Sequence, residues 1–155
     1  MTAFELFMAT HIAAGSLALL TGPVVMFARK RRGLHTRLGE VYHALVAYAC
    51  LTAAIAAIIK WDLRWWFLPI AVGSYAFALY GYLAAKTRRG DWLRRHISGM
   101  CGSYIAMVTA LLVIKANPIM SATGLGPLWI WTLPTIVGTP IIVWVNWQVS
   151  KGRLV

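Results

Sequence analysis

Four histidines, His11, His35, His43 and His96, are the residues of this chain best suited to chemistry. Imidazole ligates haem iron and metal ions and can carry a proton near neutral pH. Glu40 precedes His43 in E-x-x-H order, which puts both side chains on one helical face and recurs in metal-carboxylate helices. Around these groups stand Tyr42, Tyr80 and Tyr104, whose hydroxyls suit quinone contact or proton relay, and Arg37, Arg94 and Arg95, suited to haem propionates or lipid phosphates. Met100 and Met107 could offer thioether ligands to a haem, although methionine more often packs. Other chemistries lack carriers. There is no P-loop, HExxH or GxSxG, and Cys50 and Cys101 belong to no CxxC or CxxCH. Neither Asn117 nor Asn146 begins a glycosylation sequon.

The elements that position these residues must be membrane helices. Of 155 residues 60% are hydrophobic and 12% charged, whereas a soluble domain carries about 25% charged residues and at most about 50% apolar ones. Five apolar stretches are long enough to cross a bilayer: about 4–28, 34–59, 66–85, 92–114 and 127–149. We therefore expect an all-α fold, a polytopic transmembrane bundle of five spans forming one domain over 1–155. Glu5 and the absence of a basic leader argue against a cleavable signal. Pro134 and Pro140 should kink the fifth span, and a re-entrant course is its alternative. Residues 115–126 form the longest expected loop.

Charge sets the expected orientation. The net charge is +11, from 15 Lys and Arg against 4 Asp and Glu. Arg29, Lys30, Arg31, Arg32 and Arg37 lie between the first two spans. Lys86, Arg88, Arg89, Arg94 and Arg95 lie between the third and fourth, and Lys151 and Arg153 follow the fifth. The opposite loops hold only Lys60, Arg64 and Lys115. The positive-inside rule then puts the N-terminus outside and the C-terminus in the cytoplasm. All eight tryptophans fall near span ends, the level that indoles prefer. The basic loops imply contact with anionic lipid headgroups rather than nucleic acid, since no polar domain presents the charge.

Helical periodicity puts the histidines on inward faces. His11 aligns with Gly15, Ala18 and Gly22. His35 and His43 align with Gly39, Tyr42, Val46, Cys50, Ala53 and Ala57, and His96 with Met100, Ser103, Tyr104 and Met107. Small residues let membrane helices approach closely, so these faces should meet neighbours. At about 1.5 Å per residue, His35, His43 and His96 fall within roughly 13 Å of the cytoplasmic span ends, while His11 lies about 25 Å away. His35 and His96, or His43 and His96, could hold haem b. His35, His43 and His96 with Glu40 could hold a non-haem metal such as zinc or iron. The plainer reading makes them hydrogen-bonding groups between helices or at headgroups.

The segments HIAAGSLALLTGPV, RKRRGLHTRLGEVYH and RRHISGMCGSYIAM resemble a family of uncharacterised bacterial predicted membrane proteins carrying a domain of unknown function. The resemblance rests on His11 before small residues, on His35 with Gly39 and Tyr42 in H-x-x-x-G-x-x-Y, and on His96 opening a span. It implies a multi-span protein of the bacterial inner (plasma) membrane and no particular activity. A weaker likeness is to small b-type membrane cytochromes, although those hold their ligands in depth-matched pairs. The leading expectation is a redox or electron-transfer membrane protein binding haem b or a metal, with a quinone as further partner. The alternatives are a non-catalytic accessory subunit of a larger membrane complex or a lipid-contacting protein, in homo-oligomers or beside other membrane subunits, and thirdly a small-molecule transporter. With no repeat and no charged residue near a midplane, the transporter has least behind it.

Overall fold

The computed structural model describes residues 2–29 and 33–153. Lys30, Arg31 and Arg32, part of the first basic loop, lie outside the described residues. All regular structure among the described residues is helical: α1 (Ala3–Phe27), α2 (Leu34–Ile59), α3 (Trp61–Arg64), α4 (Phe67–Thr87), α5 (Trp92–Ile114), α6 (Ala116–Thr123) and α7 (Pro127–Ser150). Five of them, α1, α2, α4, α5 and α7, are long and apolar enough to cross a membrane. At about 1.5 Å per residue, even the 21 residues of α4 reach the roughly 30 Å of a hydrocarbon core. The five-helix membrane fold expected from the sequence is therefore what the chain forms.

Residue size sorts the inside from the outside. Ala14, Ala18 and Gly22 are the buried residues of α1, Ala71, Ser74, Ala78 and Ala84 are buried along α4, and Gly99 and Ser103 are buried on α5. Large apolar side chains point outward: Leu20 is 70% exposed and Leu128 73%. In water this arrangement would expose the apolar surface that drives folding. In a bilayer, lipid tails are as apolar as leucine, and association rests on close backbone approach and interhelical hydrogen bonds.

The chain divides into two compact units, Met1–Ala78 and Leu79–Val155. In the first, α1 and α2 pack as an antiparallel hairpin. Thr2 and Glu5 close a reciprocal capping box at the start of α1, with Thr2 N–H donating to Glu5 Oε2 at 2.8 Å and Glu5 N–H to Thr2 Oγ1 at 3.2 Å, so Glu5 serves helix initiation. In the second unit, α5 packs against α7.

One segment differs from expectation. Residues 115–126 are not a plain loop, because Ala116–Thr123 form α6. Pro118 falls in the first turn, where a missing N–H removes no helical bond. Gly124, at φ 71°, ends the helix in the left-handed region, and its N–H bonds Met120 O at 2.8 Å. The fifth span runs as one continuous helix through Pro134 and Pro140. Pro127 begins it at a position where proline's fixed φ suits a first turn, and Gly138 lies directly against the Ile105 side chain of α5.

Candidate functional site

Three histidines make the same kind of hydrogen bond to a neighbouring helix. His35, in the first turn of α2, is 3.1 Å through Nδ1 from the carbonyl of Val25. Val25 O lies in the last turn of α1, where it also accepts from the Ala28 N–H at 3.3 Å. His96, in the second turn of α5, is 2.9 Å through Nδ1 from Gly81 O on α4. A carbonyl can only accept, so in both rings Nδ1 carries the proton. His11 Nδ1 lies 2.9 Å from Thr52 Oγ1. With its one proton on the Tyr48 carbonyl at 2.7 Å or the Ala49 carbonyl at 3.0 Å, the Thr52 hydroxyl oxygen accepts from His11. In its neutral form each of these rings carries its lone pair on Nε2.

His11 has hydroxyl groups rather than other histidines as neighbours in its own layer. Beside it, Thr10 Oγ1 bonds Phe7 O and lies 2.8 Å from Tyr48 Oη. Thr10 and His11 of α1 and Tyr48 and Thr52 of α2 make a polar layer within the apolar hairpin. Thr52 is 3% exposed, so losing its partners would leave a buried polar group.

The α4–α5 contact owes its closeness to glycine. A Cβ built on Gly81 would stand 2.7 Å from Met100 N and 3.0 Å from His96 O, closer than real side chains approach backbone. Opposite Gly81, Gly99 adds no side chain either. With the two backbones in contact, the His96 ring can reach the Gly81 carbonyl.

The other expected site residues are more scattered. His43 is half-buried, and its ring faces Tyr75 of α4 with centroids 5.9 Å apart. Tyr42 is buried at 3% exposure beside it in sequence, while Glu40 and Arg37 are exposed. Tyr104 is half-buried on α5. Arg95 lines a cleft with Tyr80, Asp91, Arg94, Ser98 and Asn146. Among the described residues, no three His, Cys, Asp or Glu side chains gather to hold a metal ion.

Thr10, Tyr48, Thr52, Gly81 and Ser98 with Asn146 carry much of this geometry and were not singled out by type or spacing. The signal for Thr52 lies in the hairpin register. A short connection between Phe27 and Leu34 pairs residues whose numbers sum to about sixty, which brings His11 opposite the stretch around Thr52.

A family model described as Predicted membrane protein (DUF2306) matches residues 8–149. The chain belongs to this family of predicted membrane proteins. No curated protein matches the chain, and no solved structure does.

Proposed function

We propose that this multi-pass membrane protein is a redox protein in which membrane-embedded imidazoles ligate haem b through Nε2. One observation carries the reading: His11, His35 and His96 each direct the Nδ1 proton to an acceptor on the adjacent helix. Ligating histidines are held in this way, because a bond from the far nitrogen fixes both the tautomer and the ring's orientation. Haem b, when bound, supplies one-electron transfer. The protein's part is to fix the imidazole, surround the group with apolar helices and balance propionate charge with an arginine such as Arg37.

The fit is to single ligands rather than to a ligand pair within the first unit. His35 and His43 are eight residues apart on one helix, about 12 Å along its axis. His11 pairs with Thr52, nine residues or about 14 Å beyond His43. Two imidazoles that together held one haem would have to share a depth, which no two of these three do. A zinc site needs three or four protein ligands in one place, and the described residues gather no such group. Haem is thus favoured over zinc.

The test is a reduced-minus-oxidised visible spectrum of the protein purified in mild detergent. We expect a Soret band and a haem b difference spectrum, lost or shifted in His35→Ala or His96→Ala and retained in His43→Phe. A colourless preparation from haem-replete cells overturns the reading.

A second reading, a non-catalytic subunit of a larger membrane complex, has its own observation. The same three hydrogen bonds are complete as interhelical ties, and the outer faces of α1 and α7 present large apolar side chains. A colourless protein that co-purifies in fixed ratio with a second membrane protein supports it. For orientation, the basic residues assigned to one side of the span pattern support a cytoplasmic C-terminus in a bacterial plasma membrane.

A further inference from the structure

The second unit holds a polar cleft that the histidines do not use. Its volume is about 230 Å³, and Tyr80 of α4, Asp91, Arg94, Arg95 and Ser98 at the start of α5, and Asn146 near the end of α7 line it. Asn146 Nδ2 donates to Ser98 Oγ at 2.8 Å, while its Oδ1 is buried with no hydrogen-bond partner. A buried amide arm without a partner costs stability unless something else satisfies it. Because the Ser98 hydroxyl can donate or accept, the amide can be turned so that Oδ1 accepts from Ser98 and Nδ2 is left to donate to an acceptor.

Charge and depth identify the missing partner. Arg94 lies 3.5 Å from Asp91, a pair with both side chains more than half exposed. The two arginines and one aspartate leave the lining with a formal charge of +1, which matches the single charge of a phosphodiester. Trp92 begins the membrane-crossing α5, so Arg94 and Arg95 stand at headgroup level. Ser98 and Asn146 lie about a turn deeper, where the ester groups of a phospholipid lie, and Tyr80, 50% exposed, continues the wall toward the acyl chains. A soluble phosphate would reach the arginines and leave the Asn146 arm unmet.

We propose that this cleft binds one anionic phospholipid, its phosphate on Arg94 and Arg95 and an ester group on Asn146. Guanidinium groups favour phosphate because their paired N–H donors match its oxygens.

The experiment is native mass spectrometry of the detergent-purified protein with added phosphatidylglycerol, phosphatidylcholine or inorganic phosphate. We expect one phosphatidylglycerol retained, with phosphatidylcholine held at least about fivefold less. Arg95→Gln, an exposed position, and Asn146→Ala should each lower retention about fivefold or more. Arg153→Gln, also basic and outside the cleft, should leave it unchanged. Circular dichroism checks that each variant keeps its helix content. Equal loss in Arg153→Gln overturns the proposal in favour of diffuse surface charge. Displacement of the lipid by millimolar inorganic phosphate overturns it in favour of a soluble anion. Undiminished retention in both Arg95→Gln and Asn146→Ala overturns it outright.

Discussion

Thr52 shows how much a single hydroxyl settles in this molecule. With its proton on the carbonyl of Tyr48 or Ala49 in the preceding turn, its oxygen is left to receive His11. Thr52→Val keeps the shape and removes the acceptor. An interhelical hydrogen bond in a membrane contributes on the order of 0.6 kcal/mol and at most about 1.7 kcal/mol. Thr52→Val should therefore destabilise the protein by about 1 kcal/mol in a denaturant titration in detergent micelles. It should cost little more in a His11→Ala background, where the bond is already gone. Full additivity of the two losses would show that the pair does not interact. His11 is legible in the sequence as an ionisable group inside an apolar span, a functional candidate by default. Its partner is not, because threonine is common in membrane helices, and only the hairpin register singles out this one.

At the scale of elements, the controlling feature is how closely two helices approach. Gly81 has backbone of α5 where a Cβ would stand, whereas Gly73, two turns earlier on α4, has nothing within 4 Å. Gly81→Ala must push α5 away and lengthen the bond to His96, at a cost of about 1–3 kcal/mol, the usual range for overpacking. Gly73→Ala should be neutral or stabilise by up to about 1 kcal/mol, the difference in helix propensity. The same titration compares them, and equal behaviour of the two variants would contradict the close contact. The inward face of small residues on α4 is visible from composition, but which glycine meets a backbone depends on the packing partner. The helical course of α6 was hidden for a local reason: Asn117, Pro118 and Gly124 read as loop formers, yet here they stand at the first turn and the C-terminal cap. The fifth span was legible as a crossing helix despite its two internal prolines, because its apolar length matches a bilayer.

At the scale of the whole molecule, composition and span length were enough to give an all-helical membrane protein with five crossing helices. Apolar stretches of this length have few other solutions, since every backbone polar group in a bilayer must be satisfied within its own helix. Orientation is a separate matter, carried by charge alone. A phosphatase fused after Val155 should be inactive, as a cytoplasmic reporter is, and one fused within residues 60–66 should be active. The reverse pattern would invert the assignment. The candidate site was legible as a set of inward histidines, not as a set of bonded rings. The sequence shows which faces they occupy, but the acceptor that orients each ring lies on a neighbouring helix.

Ligation through Nε2 requires the proton of each ring on Nδ1, and ¹⁵N NMR of histidine-labelled protein in lipid bilayers reads that position directly. At a pH where the rings are neutral, His11, His35 and His96, assigned by single substitutions, should each show the Nδ1–H tautomer, with the lone pair on Nε2. Finding the Nε2–H tautomer at His35 and His96 would contradict the hydrogen bonds to Val25 and Gly81, and with them the basis for ligation through Nε2.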